Sequence, residues 1–534
     1  MKKAITHGSL SAKSVNTNVD VRSYEKSYSI RHSMSDLHTW TGLIVGWLLY
    51  AMFLTGTVSY FRDEITNYMR PEITASTAHP SYKVAQKVLD KVLDDVPNTT
   101  LINIALPTNR NHFATAFWRD SQLSGQSFNN AVFEGNTGQH INARDTKGGD
   151  FFYRFHFNFH YIPTLWGRWI AGLCAMFMLV AIISGIITHK KIFKDFFTFR
   201  WGKGQRSWMD AHNALSVLGI PFHFMITWSG LVTLMVLYMP LTMHALPSDT
   251  DRAEVVNEMR FFMPDTKPLG VNADLLPVRR FIKEAEQMWG KGSVGRIQVV
   301  NPGDITAKVA IVLAQERNVS TTPRYLIFNG VSGDRLVVKD SSGPAATTQG
   351  VLYGLHMGKF ADTAMRWLYF LVSLAGTAMV GTGLVLWTVK REKKLIGKGK
   401  SHFGFRAVEC LNITTIAGLS LAMTVYFWLN RLLPLDMDQR ADWEVNGFFI
   451  VWAIALVCAL VHKPKRAWVE LMVIAAILQA LLPVLNAVTT NRGLYVSMRN
   501  GDWLFAGFDL TVLAFSALHV YIAIRIFRHR QSFK

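Results

Sequence analysis

The sequence predicts a mainly α-helical integral membrane protein with a duplicated four-helix core, two outer α+β domains and a C-terminal four-helix extension. Three observations predict it. Of the 534 residues 50% are hydrophobic and only 17% charged, and the mean hydropathy is +0.17, above what a soluble domain carries. Eight runs approach the roughly twenty apolar residues that about 30 Å of hydrocarbon requires. Motifs in the first four runs recur in the same order.

The runs are 37–61, 165–189, 213–239, 364–389, 408–433, 446–462, 467–488 and 503–527. An arm over 1–36 precedes the first, which starts too late and lacks the small-residue cleavage site of a signal peptide, so it is read as a retained span. Lys and Arg in the short loops set the orientation. They concentrate in the arm (Lys2, Lys3, Lys13, Arg22, Lys26, Arg31), the loop 190–212 (Lys190, Lys191, Lys194, Arg200, Lys203, Arg206) and the loop 390–407 (Lys390, Arg391, Lys393, Lys394, Lys398, Lys400, Arg406). The turn Lys463, Lys465, Arg466 and the tail 528–534 agree, which places both termini in the cytoplasm. The acidic loop 434–445 falls on the other side with the long segments 62–163 and 240–363. Each long segment joins a charged helical stretch, Tyr82–Leu93 or Leu276–Trp289, to strand-like sequence, Ala114–Trp118 or Lys308–Val312, and is predicted to be a small α+β domain.

The net charge of +19 comes from basic residues beside apolar runs, which are membrane anchors and not a nucleic-acid surface. Cys174, Cys410 and Cys458 lie far apart, excluding a disulfide framework, a CxxCH haem attachment and a cysteine-held iron–sulfur cluster. No GxGxxG follows a strand, no P-loop is present, no defensible Ser/His/Asp set exists, and the cytoplasmic loops are too short for a flavin domain.

The repeat is specific. Asp36-Leu-His38 opens the first span and Asp210-Ala-His212 the third, and eighteen residues beyond each histidine stands the glycine of Thr55-Gly56 or Ser229-Gly230. Arg168-Trp169 with Ser184-Gly185 in the second span matches Arg366-Trp367 with Thr382-Gly383 in the fourth. The outer segments share Val132–Gly138 and Ile327–Gly333, each a strand leading into a glycine turn. Equivalent residues are therefore expected around a pseudo-two-fold axis normal to the bilayer.

The histidines follow this plan. His38, His212 and His189 lie at the cytoplasmic edge, His156, His160 and His356 at the opposite edge, and His223 deeper in the third span. A duplicated Asp-x-His at one depth is what bis-histidine ligation of an iron porphyrin requires, so His38 and His212 are candidate haem ligands, with His189 as the substitute. His156 and His160 are spaced i, i+4; only one can pair with His356 on one iron, the repeat leaves either two residues out of register, and His160 is favoured as ligand because it lies nearer the span. His156 would then touch a propionate or the substrate. In the extension, His462 and His519 are read as polar anchors, and a chain ending near Lys400 is expected to keep both haems.

Asp36-Leu-His38 with Gly42, Phe155-His156-Phe-Asn-Phe-His160 leading to Gly167-Arg168, Thr188-His189, Asp210-Ala-His212-Asn, Leu218-Gly-Ile-Pro-Phe-His223 and Gly354-Leu-His356-Met-Gly358 together resemble the PepSY-associated transmembrane helix family. That family includes iron-regulated inner-membrane proteins and ferric-siderophore reductases. The resemblance covers 30–395 and implies a four-helix core carrying two b-type haems, periplasmic PepSY-like domains and location in the bacterial inner membrane. It implies an oxidoreductase that reduces a ferric-siderophore or other ferric chelate for iron uptake, with a quinol or a cytoplasmic reductase as donor. The alternative is a non-redox metal or siderophore transporter, or an accessory subunit with PepSY sensor or binding domains. The extension 408–527 departs from the smaller reductases.

Overall fold

The computed structural model describes residues 29–73, 82–108, 110–119, 128–189, 199–200, 202–239, 248–395 and 402–528. The basic residues of the arm before residue 29, together with Lys190, Lys191, Lys194, Lys398, Lys400 and the tail from 529, lie outside them.

Among the described residues seven helices are long and apolar enough to cross a membrane, and a bent pair passes the same test when its two helices are taken as one span. They are α1 (Ile30–Ser59), α5 (Thr164–Thr188), the pair α6 (Gln205–Leu218) and α7 (Ile220–Thr233), and α10 (Thr363–Leu395) in the first half. The third span, expected to be continuous, is bent by 69°. Gly219 ends α6, and Pro221 sits in the first turn of α7, where its missing N–H leaves no bond broken. One end of the bundle carries short helices. On one side α2 (Arg62–Tyr68), α4 (Gly148–Asn158) and α9 (Pro344–Met357) lie between the spans and a β-sheet; the other side holds the cation-rich loops.

The two outer segments were expected as two domains and instead form one layer. A single antiparallel sheet runs β4-β3-β2-β1-β5-β6-β7-β8. The first segment supplies β1 (Leu101–Ala105), β2 (Phe113–Arg119), β3 (Phe128–Glu134) and β4 (His140–Ile141); the second supplies β5 (Val294–Val300), β6 (Lys308–Leu313), β7 (Tyr325–Asn329) and β8 (Arg335–Lys339). At the centre β1 pairs with β5 from Leu101↔Val300 to Ala105↔Arg296. Helices α3 (Tyr82–Asp95) and α8 (Val278–Trp289) share one core against it. Val84, Val88, Leu89, Phe281 and Ile282 pack on Ile102, Ile104, Ile297, Val309 and Phe328. In the repeated glycine turns, Gly138 and Gly333 take φ of 70° and 83°, a left-handed conformation that a side chain would strain, and their amides donate to Glu134 O and Asn329 O.

The extension comprises α11 (Phe403–Ile413), which runs through a π-turn at Thr414–Gly418 into α12 (Leu419–Leu432), then α13 (Arg440–Val461), α14 (Pro464–Thr489) and α15 (Trp503–Arg528). It is joined to the first half by an aromatic seam in which Phe151, Phe152 and Phe155 of α4 meet Tyr426, Phe427 and Phe448. Polar groups buried in the same seam are paired. Arg440 binds Glu444 at 2.6 Å and donates to Asp145 O, Thr146 donates to Glu444, and Tyr68 donates to Asp509 at 2.9 Å. Removing one partner of such a buried pair typically costs about 3–5 kcal/mol.

Candidate functional site

Two histidine pairs form, one at each end of the four-span half. The rings of His38 on α1 and His212 on α6 have centroids 6.1 Å apart at 69°. Those of His156 on α4 and His356 on α9 are 6.2 Å apart at 37°. Metal–imidazole bonds of about 2.0–2.1 Å, added to about 1.1 Å from each ring nitrogen to its centroid, put two trans imidazoles on one metal roughly 6.3 Å apart.

All four rings are held in the same way. The Nδ1–H donates to a helix carbonyl: His38 to Ala181 O at 2.8 Å, His212 to Met379 O at 2.9 Å, His156 to Met52 O at 2.6 Å and His356 to Ile226 O at 3.0 Å. Each acceptor stands four residues before the glycine of a repeated Ser/Thr-Gly pair. A Cβ on that glycine would come 3.2 Å from His38 (Gly185), 3.1 Å from His212 (Gly383), 2.7 Å from His156 (Gly56) and 3.0 Å from His356 (Gly230). The hydroxyls of Thr55, Ser184, Ser229 and Thr382 fold back on carbonyls of their own helices, which leaves the glycine face bare for the ring. With Nδ1 committed as a donor, Nε2 keeps its lone pair; this is the second-shell bond that fixes the tautomer of a metal-binding histidine. Burial, and then the neighbouring histidine, hold the His356 imidazole down at about 3; burial also lowers His156, so both stay neutral near pH 7.

Beside the sheet-side pair lies a cavity of about 170 Å³ that opens to the surroundings. Its walls include Tyr60, Tyr153, Phe157, Tyr238 and Tyr353 along with both histidines. It is smaller than the about 300–1,000 Å³ of a typical ligand pocket but has the same character, mostly apolar with a few polar groups. Two neutral nitrogen donors, a bare glycine behind each ring and adjoining aromatic-lined space fit an iron porphyrin.

The remaining predicted residues take other places. His160 does not face His356: it stacks on Phe449 of the extension at 5.3 Å and 15°. The reason is local, because α4 ends at Asn158 and the chain turns through φ of 55° at Phe159 and 61° at Tyr161. His189 caps α5, and the ring facing His38 is that of His212. His223 is buried over Gly219 and Gly376 with Phe53 and Phe222 as ring neighbours. The acceptor carbonyls of Met52, Ala181, Ile226 and Met379 went unforeseen, although the repeated Ser/Thr-Gly pairs marked their positions.

Residues 35–390, more than half of the chain, match the family described as the PepSY-associated TM region. The chain belongs to that family. Both histidine pairs and all four glycines of this PepSY-associated region fall inside the match, and the extension falls outside it. A comparison with curated proteins finds no match.

Proposed function

We propose that this PepSY-associated protein is a di-haem b oxidoreductase of the bacterial inner membrane that passes electrons outward to periplasmic ferric iron, as a ferric-siderophore or similar chelate. The observation that carries this reading is the fourfold repeat of one seat: ring over glycine, Nδ1–H on the carbonyl four residues earlier, Nε2 free. His38 and His212 would hold one group, and His156 and His356 the other. Haem b, held by these histidine pairs, would supply one-electron redox chemistry.

The residues of the chain do the rest. The Nδ1–H bonds keep Nε2 basic and the rings oriented, and the helix glycines admit the rings without displacing the backbone. His38 and Gly56 are eighteen residues apart on α1, so the two pairs are separated by about 27 Å of helix, most of the hydrocarbon thickness. The basic residues Arg200, Lys203, Arg206, Lys463 and Arg466 support a cytoplasmic His38 end, where a quinol or a cytoplasmic reductase would donate. Ferric iron is bound by hard oxygen ligands, and reduction to the softer ferrous ion loosens them, so an electron delivered at the sheet side acts as a release signal.

The bent third span favours a second reading, a transporter with a broken helix at its binding site. A reduced-minus-oxidised spectrum of the purified protein separates the two. We expect two bis-histidine haems, one of them lost in His38→Ala or His212→Ala. The other is lost in His156→Ala but kept in His160→Ala, and His356→Ala loses reduction of a ferric chelate. A colourless protein would sink the proposal and leave the transporter.

A further inference from the structure

We propose that the turn between α13 and α14 is a transition-metal site, in which Cys458 Sγ, His462 Nδ1 and Glu470 Oε2 bind a borderline divalent cation of the zinc class. These three atoms lie within 4.8 Å of one another, and the cluster is separate from both histidine pairs. Sγ is 3.6 Å from Nδ1 and 3.9 Å from Oε2. In a tetrahedral zinc site, bonds of about 2.3 Å to sulfur and about 2.0–2.2 Å to nitrogen or oxygen put the ligand atoms roughly 3.3–3.6 Å apart. The two sulfur edges are already near that size. The third, from Nδ1 to Oε2, is a hydrogen bond of 2.5 Å that a cation would open.

The surrounding side chains hold this arrangement. Cys458 and His462 are four residues apart, at the last turn of α13 and its C-cap, so they share a face. Pro464 opens α14 and brings Glu470 back over the turn. Arg466 donates to Glu470 Oε1 at 2.6 Å, leaving Oε2 to the other two ligands. Arg406 donates to Ala459 O and His462 O at 2.6 and 2.7 Å and so clamps the end of α13, and Cys410 donates to Ala459 O from the neighbouring helix. The side chains of His462 and Glu470 are about one-third exposed, enough for an ion to enter. A thiolate and a carboxylate neutralise a divalent charge at the membrane edge, and a mixed soft and borderline donor set favours zinc over magnesium or calcium. Three protein ligands leave a fourth position for water or an exchanging ligand.

The test uses the purified full chain, with zinc ion as the probe, in a competition titration against a chromophoric chelator and in X-ray absorption at the zinc edge. One zinc per chain with a single sulfur in its first shell is expected. Losing a direct ligand should weaken binding by more than the about 10–100-fold typical of an orienting partner, so Cys458→Ser should remove the sulfur scatterer with a loss beyond 100-fold. Glu470→Gln, nearly isosteric, should lose a similar factor, and Cys174→Ser, on α5 away from this turn, should change neither readout. Absence of stoichiometric zinc, a sulfur-free shell, or wild-type affinity in Cys458→Ser would each overturn the site. Haem content, read on the same samples, is expected to stay constant and keeps this outcome distinct from that of the redox reading.

Discussion

The two histidine pairs use the same seat but are delivered to it differently. His38 and His212 stand on the spans themselves, within helices that begin eight residues earlier at Ile30 and seven residues earlier at Gln205. His156 and His356 stand on short helices that dock onto the spans from the sheet side, so their seats depend on whatever holds α4 and α9 in place. For α4 that support comes from α1, α2 and α5, with the extension added through Phe151, Phe152 and Phe155. The difference teaches that one duplicated motif can yield two sites of unequal independence, one intrinsic to the membrane helices and one borrowed from tertiary packing.

The largest expected effect breaks this comparison outright. From sequence, a chain ending near Lys400 is expected to keep both haems; the aromatic seam on α4 raises the opposite expectation for one of them. Removing the extension bares three buried phenylalanines, each of which contributes about 3–5 kcal/mol when truncated to alanine in a core. We expect the truncated, membrane-inserted protein to lose the sheet-side haem and retain the His38–His212 one, read by haem quantitation and by the split of the reduced spectrum. Equal retention of both would show that α4 needs no such support.

Glycine substitutions sharpen the contrast at smaller scale. The Cβ of Gly56→Ala would approach His156 to 2.7 Å, whereas that of Gly185→Ala would meet His38 at 3.2 Å. Overpacking of the closer kind costs typically about 1–3 kcal/mol, or roughly tenfold to a hundredfold in retention of the sheet-side haem. Gly185→Ala should fall several-fold below that. Haem loss to an apoprotein acceptor, followed over time, measures both.

Acid should also act unevenly. In haem-free protein the His356 imidazole is neutral down to about 3, while unfolded it takes a proton at its ordinary value of 6.5. The unfolded state therefore binds more protons between those values, and stability falls progressively as pH drops from 6.5 toward 3. Thermal unfolding should show this slope, and His356→Gln should flatten it; an unchanged slope would count against burial of a neutral ring.

The smallest effect belongs to the sheet. Asp304 accepts bonds from the amides of Leu269, Gly270, Val271 and Thr306 and from the Thr306 hydroxyl, which hold its carboxyl down at about 2. Its contribution is present above 3.8 and lost as pH falls through about 2. Asp304→Asn should loosen hydrogen exchange around 269–271 and leave both haem spectra unaltered.

Much of this was legible in sequence, because hydrophobic runs and a constant offset between motifs are local signals. The Asp-x-His repeat led directly to the His38–His212 pair. The choice between His156 and His160 was not legible: it depends on Phe159 and Tyr161 adopting a left-handed backbone that neither residue type announces. The bend at Gly219 was written in Gly-Ile-Pro but hidden by the apolar run around it. The merging of two domains into one sheet was invisible, since β1 and β5 are nearly two hundred residues apart and periodicity within a strand says nothing about its distant neighbour.

That central strand pair has a mechanical consequence. Five consecutive residue pairs from Leu101↔Val300 to Ala105↔Arg296 stitch the two repeats together above the bundle, over a core to which α3 and α8 both contribute. Repeats in a rocking carrier must swing against each other around the bound cargo. Here such a swing would have to unzip the middle of an eight-stranded sheet and split its core. The sheet works as a brace across the duplication, holding a fixed span, and a fixed span suits relay between stationary centres far better than a moving gate.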